Sequence, residues 1–78
     1  MIKINWVEFK SFKMHSNKRD DNFEVLLDFL KSYYNMTSPK EMYETMFYDE
    51  TAQLMLKKRD LKSAEALEKH LFRHFDEL

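Results

Sequence analysis

Two histidines four residues apart, His70 and His74, are the residues in this sequence whose spacing first suggests a specific chemistry. Positions i and i+4 of a helix face the same way, so both imidazoles could bind one metal ion such as zinc. Glu68 and Asp76 lie nearby but do not complete a ligand set on the helix. A pair of surface histidines beside an apolar stripe is the simpler interpretation. We therefore predict no metal and no cofactor, with His70 and His74 as weak metal candidates.

The residue types in this sequence give little support for a catalytic function. Nucleophilic catalysis needs a Ser, Thr or Cys beside a base in a fixed pocket. The chain has no cysteine, and no local motif places any of its three histidines beside a serine. It also has no glycine, which excludes Gly-rich phosphate loops. Acidic pairs such as Asp49 and Glu50 precede predicted helices, where capping explains them. We predict that the protein is not an enzyme.

Aromatic residues, methionines and acids are concentrated between residues 33 and 55. Aromatic rings and methionine are enriched at protein interfaces, and methionine adapts to irregular surfaces. Some of these side chains must form the core, while the surplus predicts an acidic surface, rich in Met and aromatic groups, that binds another protein. A host protein that handles nucleic acid is the expected kind of partner. The candidate partner-binding residues are Glu41, Tyr43, Glu44, Phe47, Tyr48, Asp49 and Glu50.

Composition also bears on the source of the chain and on its location. Gly, Ala, Pro and Arg, which have GC-rich codons, together number seven, which indicates an AT-rich gene of the kind common in phages and mobile elements. The expected role is a regulator or inhibitor of a host protein. The apolar runs are too short to span a bilayer, so we expect no membrane partner. The expected location is the cytoplasm of a bacterial or infected host cell.

A small nucleic-acid-binding regulator is the alternative function. Trp6, Phe9 and Phe12 alternate with lysines, as base stacking and phosphate contacts require. The pI near 6.3 and the acidic middle of the chain oppose this alternative. Pairing of basic with acidic helices inside the molecule is the simpler explanation of the charge pattern. The candidate nucleic-acid-binding residues are Lys10, Lys13, Lys57, Lys58, Arg59 and Lys62.

A structural homo-oligomer is a further alternative. The hydrophobic core of a 78-residue chain gives only marginal stability, and binding a second copy of the chain would increase that stability. The residues that could form such a dimer seam are Trp6, Phe9, Phe72 and Phe75.

The elements that must position these residues are helices. Asp21 and Glu24 fit a capping box, and the apolar residues that follow repeat at helical spacing on more than one side. A helix with this pattern is usually central, so the segment near 22–34 should be the most protected element. The predicted fold is all-α: a small bundle of four to five short helices around this central helix, in a single domain spanning 1–78.

The boundaries of the later helices follow from capping residues. Ser38 followed by Pro39 predicts a helix to about Tyr48. Asp49 can cap a further helix, although these two could also be one kinked helix. Ser63 or Asp60 can cap the last helix, whose apolar stripe is Ala64, Leu67, Leu71, Phe75 and Leu78.

The first segment is ambiguous. Asn5 and Glu8 fit a capping box for a helix, but Ile2, Ile4 and Trp6 alternate as in a strand. Residues 2–9 are therefore a helix start or a strand, and a strand would need a partner from another chain.

Overall fold

Five helices form the secondary structure of the part of the chain that a computed structural model describes, namely the backbone of residues 2–75 and the side chains of residues 2–73. No strand occurs in this range, so the prediction of an all-α fold with four to five short helices is confirmed. The longest of these helices have 12 residues, and none of them has the length and apolar character that crossing a bilayer requires. The chain divides into two units, Met1–Thr37 and Ser38–Leu78. The single domain spanning 1–78 stays a prediction.

The first unit holds helices α1 (Trp6–Met14) and α2 (Asn22–Tyr33), which pack against each other. Both begin at the predicted caps. The Asn5 side-chain oxygen accepts two N–H groups from the first turn of α1, each at 3.1 Å. The Asp21 carboxylate accepts two from α2, at 3.1 and 3.3 Å. These bonds satisfy N–H groups that the start of a helix leaves without partners, so local sequence sets where each helix begins.

The segment before α1 is held by a side chain of the α2 C-cap. The Tyr34 hydroxyl accepts the Asn5 N–H at 2.8 Å and donates to the Lys3 carbonyl at 3.2 Å. The N–H that a capping box would offer to Glu8 is therefore bound to Tyr34. Residues 2–5 have no regular structure and α1 begins at Trp6, so the strand alternative for residues 2–9 is wrong.

Phe29 is the centre of an aromatic cluster in this unit. Its ring is fully buried and lies 4.9 to 5.7 Å, centroid to centroid, from four other rings. Helix α2 contributes more buried residues than any other described helix, which agrees with the prediction that the segment near 22–34 is the most protected. The four rings around Phe29 are Phe9, Phe12, Tyr33 and Tyr34.

The second unit holds α3 (Pro39–Phe47), α4 (Glu50–Lys58) and α5 (Ala64–Phe75), with α3 packed against both of the others. The sequence left open whether this region holds two helices or one kinked helix. The structure has two, because Asp49 has extended backbone (φ −113°, ψ 123°) between α3 and α4. Three predicted caps accept first-turn N–H groups at 3.1 to 3.4 Å: Ser38, Asp49 and Ser63.

Among the described side chains of this unit, residues 38–73, the core is apolar apart from one hydroxyl. The Thr45 side chain donates to the Glu41 carbonyl at 2.8 Å, so this buried hydroxyl has its partner. The buried apolar side chains are Met42, Met46, Ala52, Leu56, Leu67 and Leu71.

Among the residues that the structure describes, Asn35 and Asp60 have left-handed backbone, both with φ 57°, in a chain without glycine. Asp60 ends α4 in a Schellman motif. Its N–H donates to the Lys57 carbonyl at 3.1 Å, and the Leu61 N–H donates to the Leu56 carbonyl at 3.0 Å. Asn and Asp tolerate this conformation better than most residues with a Cβ, although glycine adopts it with no steric cost.

Replacing Asp60 by glycine should therefore raise the free energy of unfolding by about 0.5 to 1 kcal/mol. The left-handed conformation costs a non-glycine residue roughly 1–2 kcal/mol, and the extra chain entropy of glycine offsets part of that gain. The ion pair from Asp60 to Lys62 is exposed on both sides and contributes little. Urea denaturation followed by circular dichroism measures the change. An Asp60→Ala variant more stable than Asp60→Gly would contradict this explanation.

Candidate functional site

Three aromatic side chains touch one another on the outer face of α3 and at its C-cap. Tyr43 and Phe47 lie one helical turn apart, with ring centroids 6.0 Å apart and planes at 27°. Tyr48 meets Phe47 edge to face at 5.3 Å. Phe47 is 43% exposed and Tyr48 is 68% exposed, while Tyr43 is half-buried. We call these three residues the aromatic ridge.

A groove of about 610 Å³ runs beside the aromatic ridge, between α3 and the start of α5. Three carboxylates line it, those of Glu44, Glu65 and Glu68, together with one ammonium group, that of Lys40. All four residues are exposed. The groove therefore carries an excess of negative charge, and we call it the acidic groove.

A smaller pocket of about 230 Å³ shares Tyr43 and Phe47 with the acidic groove. Its remaining lining comes from α4 and the turn after it, including the side chains that the Schellman motif brings together, Leu56 and Leu61. Lys57 and Lys62 also line it, with Asp60. Because both depressions include the same two rings, the aromatic ridge separates an acidic groove from a pocket with a basic edge.

The acidic residues predicted for partner binding have separate roles. Glu44 lines the acidic groove, while Glu41 and Glu50 are exposed outside it. Asp49 is half-buried, and its carboxylate caps α4 by accepting the Ala52 N–H at 3.1 Å. Four of the predicted residues, Glu44 and the three rings, therefore meet at one place.

The acids that α5 adds to this place were not predicted. In the sequence, Glu65 pairs naturally with Lys69 at i,i+4, and Glu68 stands near the histidine pair. The sequence contains one sign of this arrangement: Glu65 and Glu68 are three positions apart, a spacing that puts both side chains on one face of a helix. That α3 packs against this helix is a tertiary contact, and no local pattern shows it.

Methionines contribute less to this surface than predicted, and of those in the region Met55 is half-buried. Met36, Met42 and Met46 are at most 1% exposed and belong to the core. Met42 and Met46 occupy the face of α3 next to Tyr43 and Phe47, so helical spacing alone leaves open which of the two faces is inside. The exposed surface is aromatic and acidic.

The basic residues proposed for nucleic acid lie in both units. Lys10 is exposed and Lys13 half-buried on α1. At the end of α4 and in the following turn, Lys57, Lys58, Arg59 and Lys62 are exposed. Lys62 lies 3.4 Å from the Asp60 carboxylate. A binding face that combines the two sets stays a prediction.

The remaining candidates are the metal and dimer residues. His70 is half-buried, while the side chain of His74 lies outside the described residues. Among the side chains that are described, no group of three or more His, Cys, Asp or Glu could hold a metal ion. Of the proposed dimer seam, Phe9 is 6% exposed and belongs to the core, whereas Phe72 is 58% exposed. Trp6 is half-buried, and the Phe75 side chain lies outside the described range.

Comparison of the chain with protein-family models, with characterised proteins and with solved structures finds no match. The residues and the geometry of the chain itself are therefore the basis for assigning a function.

Proposed function

We propose that this protein is a protein-binding module and that its partner docks on the aromatic ridge and the adjoining acidic groove. The observation that carries the proposal is the contact between Phe47 and Tyr48, two partly exposed rings that stand beside the acidic groove. Single exposed apolar residues are common on proteins, whereas touching exposed rings beside a groove resemble the anchors of an interface.

The chemistry of the surface suits binding through a few strong contacts. Aromatic side chains are frequent among the residues that dominate interface energies, where truncation costs 2 kcal/mol or more, about 30-fold in affinity. Charged side chains around such anchors raise the rate of encounter and select among partners. The aromatic ridge supplies the anchors, and the acidic groove supplies the charged surroundings.

The support beneath the aromatic ridge favours a preformed site. Tyr43 and Phe47 lie on a regular helix whose neighbouring face is fixed by the buried Met42 and Met46. The Ser38 cap and Pro39 at the first helical position stabilise the start of that helix. A surface held in this way loses little conformational entropy when it binds, which improves affinity. Regulation or inhibition of the captured protein is the form of activity that we propose for such a module.

The test compares partner capture by three forms of the tagged protein in lysate of the cells that produce it. The wild type and a Val7→Ser/Leu54→Ser control should retain the same protein in stoichiometric amount. A Tyr43→Ser/Phe47→Ser variant should lose it. The control also removes two exposed apolar residues, which are 78% and 58% exposed and lie outside the ridge. Circular dichroism must show the same helical signal for all three forms.

Two results would contradict the proposal. One is capture that is equal for the wild type and the ridge variant, or absent in both. The other is capture that depends on nucleic acid. Such capture would be lost after nuclease treatment, and it would also be lost when Lys57, Lys58 and Arg59 are replaced by Ala. The second result would support the nucleic-acid-binding alternative.

A further inference from the structure

We infer that the segment bound by this surface is a basic amphipathic helix, whose Lys or Arg side chains face the acidic groove and whose apolar side chains cover the aromatic ridge. This inference rests on the proposed function and specifies the chemistry of the partner.

The charges of the acidic groove are the first argument. Glu44, Glu65 and Glu68 outnumber Lys40 there by three to one. Within the described residues, none of the three carboxylates has an ion pair or a hydrogen bond. Uncompensated like charges on one groove repel each other, and a bound cationic segment would relieve that repulsion. Charge complementarity therefore selects a basic occupant.

The pocket on the other side of the ridge is the second argument. Its volume of about 230 Å³ suits one large apolar side chain, and the buried Leu56 forms part of its lining. A bare polycation would leave this pocket and the aromatic ridge unused. An amphipathic segment would use all three features, with one apolar anchor in the pocket and others on the rings.

The architecture around the site favours a helix as the bound element. The walls of the acidic groove are helices α3 and α5, and none of the described residues forms a strand to which an extended peptide could add. Amphipathic helices bind such grooves through apolar anchors at i, i+3 or i+4, and i+7. Their remaining faces can carry the basic residues that the groove requires.

The same carboxylates disfavour a phosphate-bearing partner at this place. Nucleic acids and anionic lipids present dense negative charge, which three nearby carboxylates would repel. Lys57 and Lys62 line the pocket and not the acidic groove.

Fluorescence anisotropy with synthetic probes tests this inference on the full chain. Two labelled helical peptides share one leucine face and differ in the polar face, which is Lys in one and Glu in the other. A labelled single-stranded oligonucleotide is the third probe. We expect the Lys peptide to bind at least about tenfold more tightly than the Glu peptide, a difference of 1.4 kcal/mol. The oligonucleotide should bind more weakly than the Lys peptide.

A matched pair of charge variants separates the groove from the overall charge. Glu65→Lys/Glu68→Lys should weaken binding of the Lys peptide by about tenfold or more. Glu8→Lys/Asp20→Lys makes the same change in net charge at exposed positions of the first unit. That control should keep the affinity within about threefold, because neither residue lines the acidic groove or the pocket.

Four outcomes would overturn the inference: no binding of the Lys peptide, equal binding of the two peptides, equal losses in the two charge variants, or preference for the oligonucleotide. Each would reject the basic helix as partner. None would decide the proposed function, which capture by the ridge variant tests separately.

Discussion

Replacing Phe29 by alanine is expected to leave the first unit largely unfolded at room temperature. The Phe29 side chain is fully buried, and its ring contacts four other aromatic rings of the first unit. Truncating a buried Phe to Ala costs about 3–5 kcal/mol, through lost burial and the cavity that remains. A single core of this size supplies only about 3–5 kcal/mol in total. The substitution should therefore remove most of the stability.

Urea denaturation of the full chain, followed by circular dichroism, measures this effect. Phe29→Leu, which leaves a smaller cavity, should fall between the wild type and Phe29→Ala. Val7→Ala should stay within about 0.5 kcal/mol of the wild type, because Val7 is 78% exposed. A Phe29→Ala variant with an unchanged midpoint would show that the aromatic cluster is not the main source of stability in the first unit.

Substituting glutamate for Met46 and for Phe47, two neighbouring residues of α3, should have opposite effects on the stability of the fold. Met46 is fully buried, so Met46→Glu places a carboxylate without a partner among apolar side chains. That kind of change costs more than about 4 kcal/mol and should unfold the second unit. Phe47 is 43% exposed, so Phe47→Glu should keep the fold, with a loss of about 1 kcal/mol or less. Thermal melts of both variants give the comparison.

This pair also tests the assignment of the methionines to the core. If both glutamate variants keep the helical signal and the melting temperature of the wild type, Met46 is not buried in solution. If both unfold, Phe47 is part of the core and not of an exposed ridge. With Met46 in the core and Phe47 on the exposed ridge, only Met46→Glu should unfold.

The local parts of the fold could be predicted because they depend on neighbouring residues. Asn5, Asp21, Ser38 and Asp49 were identified as caps from the sequence, and each accepts the expected N–H groups. For the last helix the sequence left Ser63 and Asp60 as alternatives, and the cap is Ser63. A cap acts within three residues, so no tertiary knowledge is needed to find it.

Features that depend on distant residues could not be predicted in this way. The face of α3 that turns inward depends on α4 and α5, and so the sequence left open which methionines belong to the core. The acidic groove needs Glu65 and Glu68 from a helix about 20 residues away in sequence, and the pocket needs the turn at Asp60. Four residues of the candidate site were found from composition, while the groove that joins them required the packing of α3 against α5.

The role of the aromatic ridge as the binding surface is tested by the dissociation constants of the captured partner for the purified wild type and two purified variants. Isothermal titration calorimetry should show that Phe47→Glu weakens binding by about 30-fold or more, which is the loss of one dominant aromatic anchor. Leu54→Glu is the matched control, since Leu54 is 58% exposed on α4 and lines neither depression. It should bind within about threefold of the wild type. Equal affinity of the wild type and Phe47→Glu, or an equal loss in both variants, would contradict the assignment of the aromatic ridge as the binding surface.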